Sequence, residues 1–112
     1  MDYLEAVRNA ALGLPGAWED HPWGQEPVFK NAKGKIFVFC GLGAGTAFSA
    51  TVKLPPAEGE EALSLPFVSV ARYVGRYGWV TVGVSNPFEL EVLLEWIARS
   101  YEVVGGAKRR ER

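Results

Sequence analysis

The sequence brings basic and aromatic residues together in two segments, a combination typical of surfaces that bind nucleic acid. Three lysines surround the turn in "KNAKGK", a fourth follows in "TVKLPP", and "ARYVGRYGW" alternates arginines with aromatic rings. Cations hold phosphate groups, and rings stack on bases. The candidate nucleic-acid-binding residues are Lys30, Lys33, Lys35, Lys53, Arg72, Tyr73, Arg76, Tyr77 and Trp79. An equally weighted alternative is that the lysines protect an edge strand and the rings fill the core.

A second chemically rich segment is "LPGAWEDHPWGQEPVFK", residues 14–30, which we predict to be a loop because it has no helical or strand period. It contains the only histidine, His21, which Glu19 or Asp20 could orient as a base. No serine or second histidine is joined to it by a motif, so we favour a structural role in which the two tryptophans close the open end of the core. A secondary hypothesis makes ligand contacts of Trp18, His21 and Trp23.

The residues present argue against several kinds of catalytic or cofactor site. One cysteine and one histidine cannot cage zinc, and Cys40 lies in an apolar strand, where burial raises the pKa of a thiol and limits access to it. The loop "GLGAG", residues 41–45, resembles a phosphate-binding loop, but a strand and not a helix is predicted after it, so we interpret it as a hairpin loop. Glutamates near two helix starts complement the helix dipoles. We expect no cofactor, no metal and no catalytic residue, and therefore no enzymatic activity.

Length and composition predict one domain, residues 1–106, followed by a basic tail, residues 107–112, because 112 residues with 48% hydrophobic content suffice for one core. The formal net charge of -1 requires any nucleic-acid surface to be a local patch. The single cysteine, and an N-terminal segment that lacks a basic region followed by an apolar run, predict a cytoplasmic protein with no membrane segment.

Helix signals occur near both ends of the chain and once in the middle. Asp2 with Glu5 has the form of a capping box, and Asn86 with Glu89 repeats this form before a long apolar stripe. A short helix is predicted to begin at Pro56. The residues of the apolar stripe that we expect to be buried are Leu90, Leu93, Leu94, Ile97 and Tyr101.

Runs of β-branched and aromatic residues lie between the helices. "PVFKN" and "KIFVFCG" predict a hairpin, "TAFSATVKL" alternates like a strand with a single buried face, and "WVTVGV" predicts a near-central strand that begins at Trp79. "FVSVARYVGRYG" is ambiguous between strand, short helix and turn. The predicted fold is an α+β two-layer sandwich of order α-β-β-β-α-β-β-α, with an antiparallel sheet of about five strands and helices on one face.

Five segments in order resemble the MmcQ/YjbR family of small bacterial proteins. They run from Leu14 to Val104 and are "LPGAWEDHPWG", "VFKNAKGKIFVF", "TVKLPP", "ARYVGRYGWVTV" and "WIARSYEVV". The resemblance implies an α+β fold related to frataxin-like CyaY proteins and to secretion chaperones. It also implies DNA binding, by likeness to a double-wing surface in which strands meet the duplex. Our leading hypothesis is a small DNA-binding module; the alternatives are a chaperone-like or adaptor protein with a protein partner, and a frataxin-like metal-handling protein.

Overall fold

Three helices and six strands make up the computed structural model, which describes residues 2–22, 24, 26–41, 48–71 and 78–105. The elements in chain order are α1 (Tyr3–Leu12), β1 (Trp18–Asp20), β2 (Val28–Lys30), β3 (Ile36–Cys40), β4 (Phe48–Lys53), α2 (Pro56–Ala62), β5 (Val68–Val70), β6 (Trp79–Val84) and α3 (Pro87–Gly105). None of these helices has the length and apolar character needed to cross a membrane.

The strands form one antiparallel sheet in the order β1-β2-β3-β4-β6-β5. This confirms the predicted α+β fold and element order, with six strands instead of about five. The additional strand is β1, which lies in the segment that we predicted to be a loop and pairs Trp18 with Lys30. A three-residue strand is too short to show a period in the sequence, so only its pairing with β2 reveals it.

Capping side chains fix the starts of the two longer helices, as the sequence predicts. The Asp2 carboxylate accepts from the Glu5 amide at 3.0 Å, and the Asn86 side chain accepts from the Glu89 amide at 2.9 Å. The Glu89 carboxylate reaches back to the amide of Ser85 at 2.8 Å. These bonds satisfy amides that have no partner inside a helix, so each helix begins at a defined residue.

The core lies between the sheet and α3, which packs across β3, β4 and β6 and against α1. The predicted stripe is confirmed for Leu90, Leu93 and Ile97, which are buried. It is wrong for Leu94 and Tyr101, which are only partly buried against the core. At 3.6 residues per turn these two side chains lie on the flank of the stripe, about 45° to 70° from the centre of the three buried side chains, where the sheet covers them incompletely.

The helix-free face of the sheet is also buried along β4, contrary to the predicted single buried face. Thr51 is 0% exposed, and its hydroxyl lies 2.8 Å from that of Thr81 on β6. The rings of Phe39 on β3 and Trp79 on β6 contact each other edge to face, with centroids 5.1 Å apart. Because β4 lies between those two strands, the rings meet above it and help to shield the threonine pair from water.

Candidate nucleic-acid interface

The turn between β2 and β3 presents two of the candidate lysines on a rigid backbone. The Asn31 side-chain oxygen accepts from the amides of both Lys33 and Lys35 at 3.0 Å, and the Asn31 amide donates to the Lys35 carbonyl at 2.8 Å. Gly34 supplies the positive φ, +84°, that the turn needs. Both lysine side chains are exposed, so the turn holds two cations in water at fixed backbone positions.

A third lysine, Lys53, lies at the same end of the sheet, where a buried hydroxyl connects its backbone to β3. In the pairing of β3 with β4, Phe39 lies opposite Thr51. The same register, continued by two residues, would place Phe37 opposite Lys53. The β2–β3 register shifts at this point, so Phe37 is the bulged residue. The Ser100 hydroxyl of α3 accepts from the Lys53 amide at 2.8 Å and donates to the Phe37 carbonyl at 2.7 Å.

We call the region that contains Lys33, Lys35 and Lys53 the lysine end of the sheet. In the described part of the chain none of these three ammonium groups has an ion pair. The described arginines, by contrast, are each paired with two glutamates. The three lysines are therefore not paired with a described carboxylate, and an unpaired cation attracts phosphate. Glu102 lines the same groove as Lys33, but its carboxylate is paired with Arg99.

Lys30 differs from the other candidate lysines because its charge is already neutralised. Its ammonium group donates to Asp20 at 2.7 Å and lies 5.1 Å from the centroid of the Trp18 ring. The hydrogen bond from Lys30 lowers the pKa of the Asp20 carboxyl below its ordinary value, with a smaller contribution from the His21 amide. We therefore assign Lys30 to the attachment of β1, and not to the lysine end.

Trp79 lies beside the lysine end, since it begins β6 directly opposite Lys53. It is half-buried, and its edge contact with Phe39 fixes the ring. Ala71 and Gly78, which precede and follow residues 72–77, lie at this end as well. The Ala71 amide donates to the Trp79 carbonyl, and the Leu54 amide donates to the Gly78 carbonyl. The remaining candidates lie outside the described residues and are Arg72, Tyr73, Arg76 and Tyr77.

Of the two tryptophans that we expected to close the open end of the core, Trp18 does not do so. Trp18 is 43% exposed, and its indole N–H donates to the Asn31 carbonyl at 3.0 Å, so it packs along the edge of the sheet beside the β2–β3 turn. Its predicted partner in that role, Trp23, lies outside the described residues. Trp18 thus supports the backbone of Asn31, whose side chain holds the β2–β3 turn. The sequence did not indicate this role.

His21 contacts a carboxylate, as its neighbours suggested, but the arrangement is an ion-pair network. Its Nε2 lies 2.8 Å from Glu19, and Arg8 of α1 donates to the same carboxylate at 2.8 and 3.2 Å. The Arg8 hydrogen bonds hold the pKa of Glu19 below its ordinary value, although burial opposes them. Because β1 pairs Glu19 with Phe29, this network attaches α1 to the edge of the sheet.

The described residues also include Cys40 and the first glycine of "GLGAG". Burial raises the pKa of the Cys40 thiol to about 12, consistent with a core residue that reacts poorly. Among the described residues there is no group of three or more histidine, cysteine or acidic side chains placed to hold a metal ion. Of the "GLGAG" segment only Gly41 is described, so the predicted hairpin loop lies mostly outside the described residues.

Sequence reasoning missed two residues that position the lysine end, Ser100 and Asn31. Both are buried polar side chains. Ser100 carries a readable signal, because Leu93, Ile97 and Ser100 follow one another at helical spacing and the serine therefore falls on the buried face of α3. A buried hydroxyl needs hydrogen-bond partners, and in the structure these partners are the Lys53 amide and the Phe37 carbonyl.

Comparison with known proteins supports the fold and gives one family. A sequence profile described as YjbR matches residues 12–103. The crystal structure of a protein from Pseudomonas syringae superimposes with a TM-score of 0.69 at 18% sequence identity, over 93% of this chain and 99% of that chain. At this identity the likeness shows the fold alone. No curated protein matches the sequence significantly.

Proposed function

Because the chain belongs to the YjbR family, and its resemblance to that family implies DNA binding, we propose that it is a non-catalytic DNA-binding module. Its lysine end would hold phosphate groups. The observation that carries this proposal is the set of three lysines without an ion pair among the described residues, Lys33, Lys35 and Lys53. Phosphate contacts supply most of the sequence-independent affinity for DNA.

The distribution of charge supports DNA binding despite the formal net charge of -1. Ser100 marks the part of α3 that lies against the lysine end, whereas Glu91 and Glu95, which have no ion pair among the described residues, lie nearer the start of that helix. At 1.5 Å per residue, Glu91 is about 13 Å from Ser100 along the helix axis. That separation exceeds the Debye length of about 8 Å at physiological ionic strength, so Glu91 weakens the local positive field only slightly. Glu95 is about 7.5 Å from Ser100 along the axis and weakens that field more.

The shape of the lysine end favours contact by a turn and strand ends over contact by a recognition helix. The β2–β3 turn carries Lys33 and Lys35, and the adjoining end of β4 carries Lys53. A narrow turn that presents cations can follow the phosphate backbone without a helix in the major groove. This agrees with the strand-mediated contact that the family resemblance implies.

The test is a salt titration of binding to a short DNA duplex. Since log affinity falls with log salt at about -0.9 per phosphate neutralised, the three lysines should contribute roughly -3 to the slope. Each of Lys33→Gln, Lys35→Gln and Lys53→Gln should make the slope shallower by about one. Absence of salt-dependent binding by the unmodified protein at low ionic strength would overturn the proposal.

Lys30→Gln provides the matched control, because it changes the net charge by the same amount at a lysine that is already paired with Asp20. Its salt slope should stay close to that of the unmodified protein. If Lys30→Gln flattened the slope as much as Lys35→Gln, net charge and not the lysine end would account for binding. Urea unfolding of each variant would verify that the fold is retained, since exposed substitutions usually change stability by no more than about 0.5 kcal/mol.

A further inference from the structure

An exposed apolar surface on α3 is not accounted for by DNA binding. Phe88, in the first turn of α3, is 65% exposed, and the edge of its ring contacts Phe67 at a centroid distance of 6.2 Å. Val92 follows one turn later and is half-buried. A shallow groove of ≈ 540 Å³ runs along this side of the helix and is lined by Phe88, Glu91, Val92, Leu94 and Glu95. A large aromatic side chain held in water beside other apolar groups is typical of a protein-binding surface.

Two of the residues that line this groove, Glu91 and Glu95, are negatively charged. In the described part of the chain neither Glu91 nor Glu95 has an ion pair, whereas Glu58 and Glu102 share Arg99. Both glutamates lie beyond the first turn of α3, so the helix dipole does not explain them. Two like charges four residues apart destabilise a helix slightly, and no ion pair of the described residues offsets this cost at Glu91 and Glu95.

We propose that this face of α3 binds a basic amphipathic helix of a partner protein. Its apolar side chains would cover Phe88 and Val92, and its lysines or arginines would pair with Glu91 and Glu95. The spacing suits a helix laid along α3, because residues 88, 91, 92 and 95 recur at three- and four-residue intervals and span about 10 Å. Negative charge beside the apolar groups disfavours nucleic acid and anionic lipid as occupants.

This proposal is independent of DNA binding, because the two surfaces lie at different parts of α3. Phe88 precedes Ser100, the residue beside the lysine end, by twelve positions, or about 18 Å along the helix. A partner helix on the first half of α3 therefore leaves the lysine end open. Saturating DNA should leave the affinity for the helix unchanged within about twofold.

The probe is a fluorescein-labelled 18-residue peptide of leucine and lysine with leucines at helical spacing, measured by fluorescence anisotropy. A peptide of the same composition in scrambled order is its control. The unmodified protein should bind the amphipathic peptide at least about tenfold more tightly than the scrambled one, because only the former presents one apolar face. Equal binding of the two peptides would overturn the proposal, since charge alone would then account for it.

Two variants locate the binding surface. Phe88→Ser and the double change Glu91→Gln with Glu95→Gln should each weaken binding about tenfold or more, in the range expected for central interface residues. The matched control, Glu60→Gln with Glu61→Gln, removes the same charge from exposed positions of α2 and should change affinity less than about twofold. Circular dichroism would show that each variant is folded.

Either of two results would refute the assignment: equal weakening by the α2 control, or unchanged binding by Phe88→Ser. A second copy of the chain is the competing occupant, and sedimentation distinguishes it. Concentration-dependent dimers that disappear in Phe88→Ser and that the peptide does not dissociate would assign this face to self-association and reject the proposed partner helix.

Discussion

Replacing Ser100 with alanine removes the only described connection between the Lys53 amide and the Phe37 carbonyl. The Ser100 side chain is 0% exposed, and its hydroxyl makes both hydrogen bonds at normal length, 2.8 and 2.7 Å. Alanine fits the same space without strain, so the change deletes polar contacts and leaves the packing of α3 nearly intact.

The expected cost follows from the two backbone groups that lose their partner. Leaving a buried donor or acceptor unsatisfied costs about 1–3 kcal/mol. The Phe37 carbonyl is buried, whereas the Lys53 amide is partly accessible to water, so we expect about 2–4 kcal/mol in total for Ser100→Ala. Helix propensity acts in the opposite direction, because alanine is the better helix former by a few tenths of a kcal/mol.

Urea unfolding of the unmodified protein and Ser100→Ala, followed by circular dichroism, measures the difference directly. Ser64→Ala is the matched control, because its exposed hydroxyl also donates to a backbone carbonyl at 2.7 Å, and it should change the free energy of unfolding by no more than about 0.5 kcal/mol. If Ser100→Ala were as stable as the unmodified protein or more stable, the bulge would be closing by a direct backbone bond, and the proposed bridging role of the hydroxyl would be wrong.

Two further predictions concern the core and the attachment of α1. Leu93→Ala should cost about 2–5 kcal/mol in urea unfolding, and Leu94→Ala clearly less, because only the former side chain is fully buried; equal losses would contradict the assignment of the buried face of α3. Because Arg8 lowers the pKa of Glu19 in the folded protein, their interaction stabilises the fold above the unfolded carboxyl pKa of about 4.3 and is lost as pH falls through the lower, folded value. Arg8→Met should therefore be less stable than the unmodified protein at pH 7, with a difference that shrinks towards pH 3, and a difference independent of pH would contradict this.

Much of the fold could be predicted from the sequence because its signals are local. Capping residues such as Asp2 and Asn86 mark helix starts within four residues of chain, and the apolar period of α3 identifies its buried side. The register of the short strand β1 has no such signal. Its pairing with β2 brings Asp20 to Lys30, ten residues away, so the neutralisation of that lysine could not be predicted from either segment alone.

The candidate site was predicted in part, because composition identifies cations but not their partners. The structure places Lys33, Lys35 and Lys53 near one another as exposed or partly exposed lysines, but the criterion that selected them also selected Lys30, which is paired with Asp20. The distinguishing fact is the position of carboxylates in three dimensions. Ser100 was overlooked for a different reason, since a single serine in an apolar stripe resembles a tolerated small residue until its backbone partners are known.

The hydroxyl bridge at the bulge also has a consequence for the order in which the chain can acquire its structure. Ser100 follows Phe37 by 63 residues and Lys53 by 47 residues, and its hydroxyl is the described partner of both backbone groups. Until α3 has been synthesised and has docked, the Phe37 carbonyl and the Lys53 amide lack that partner. The end of the sheet that carries Lys33, Lys35 and Lys53 is therefore complete only after nearly the whole domain has been made.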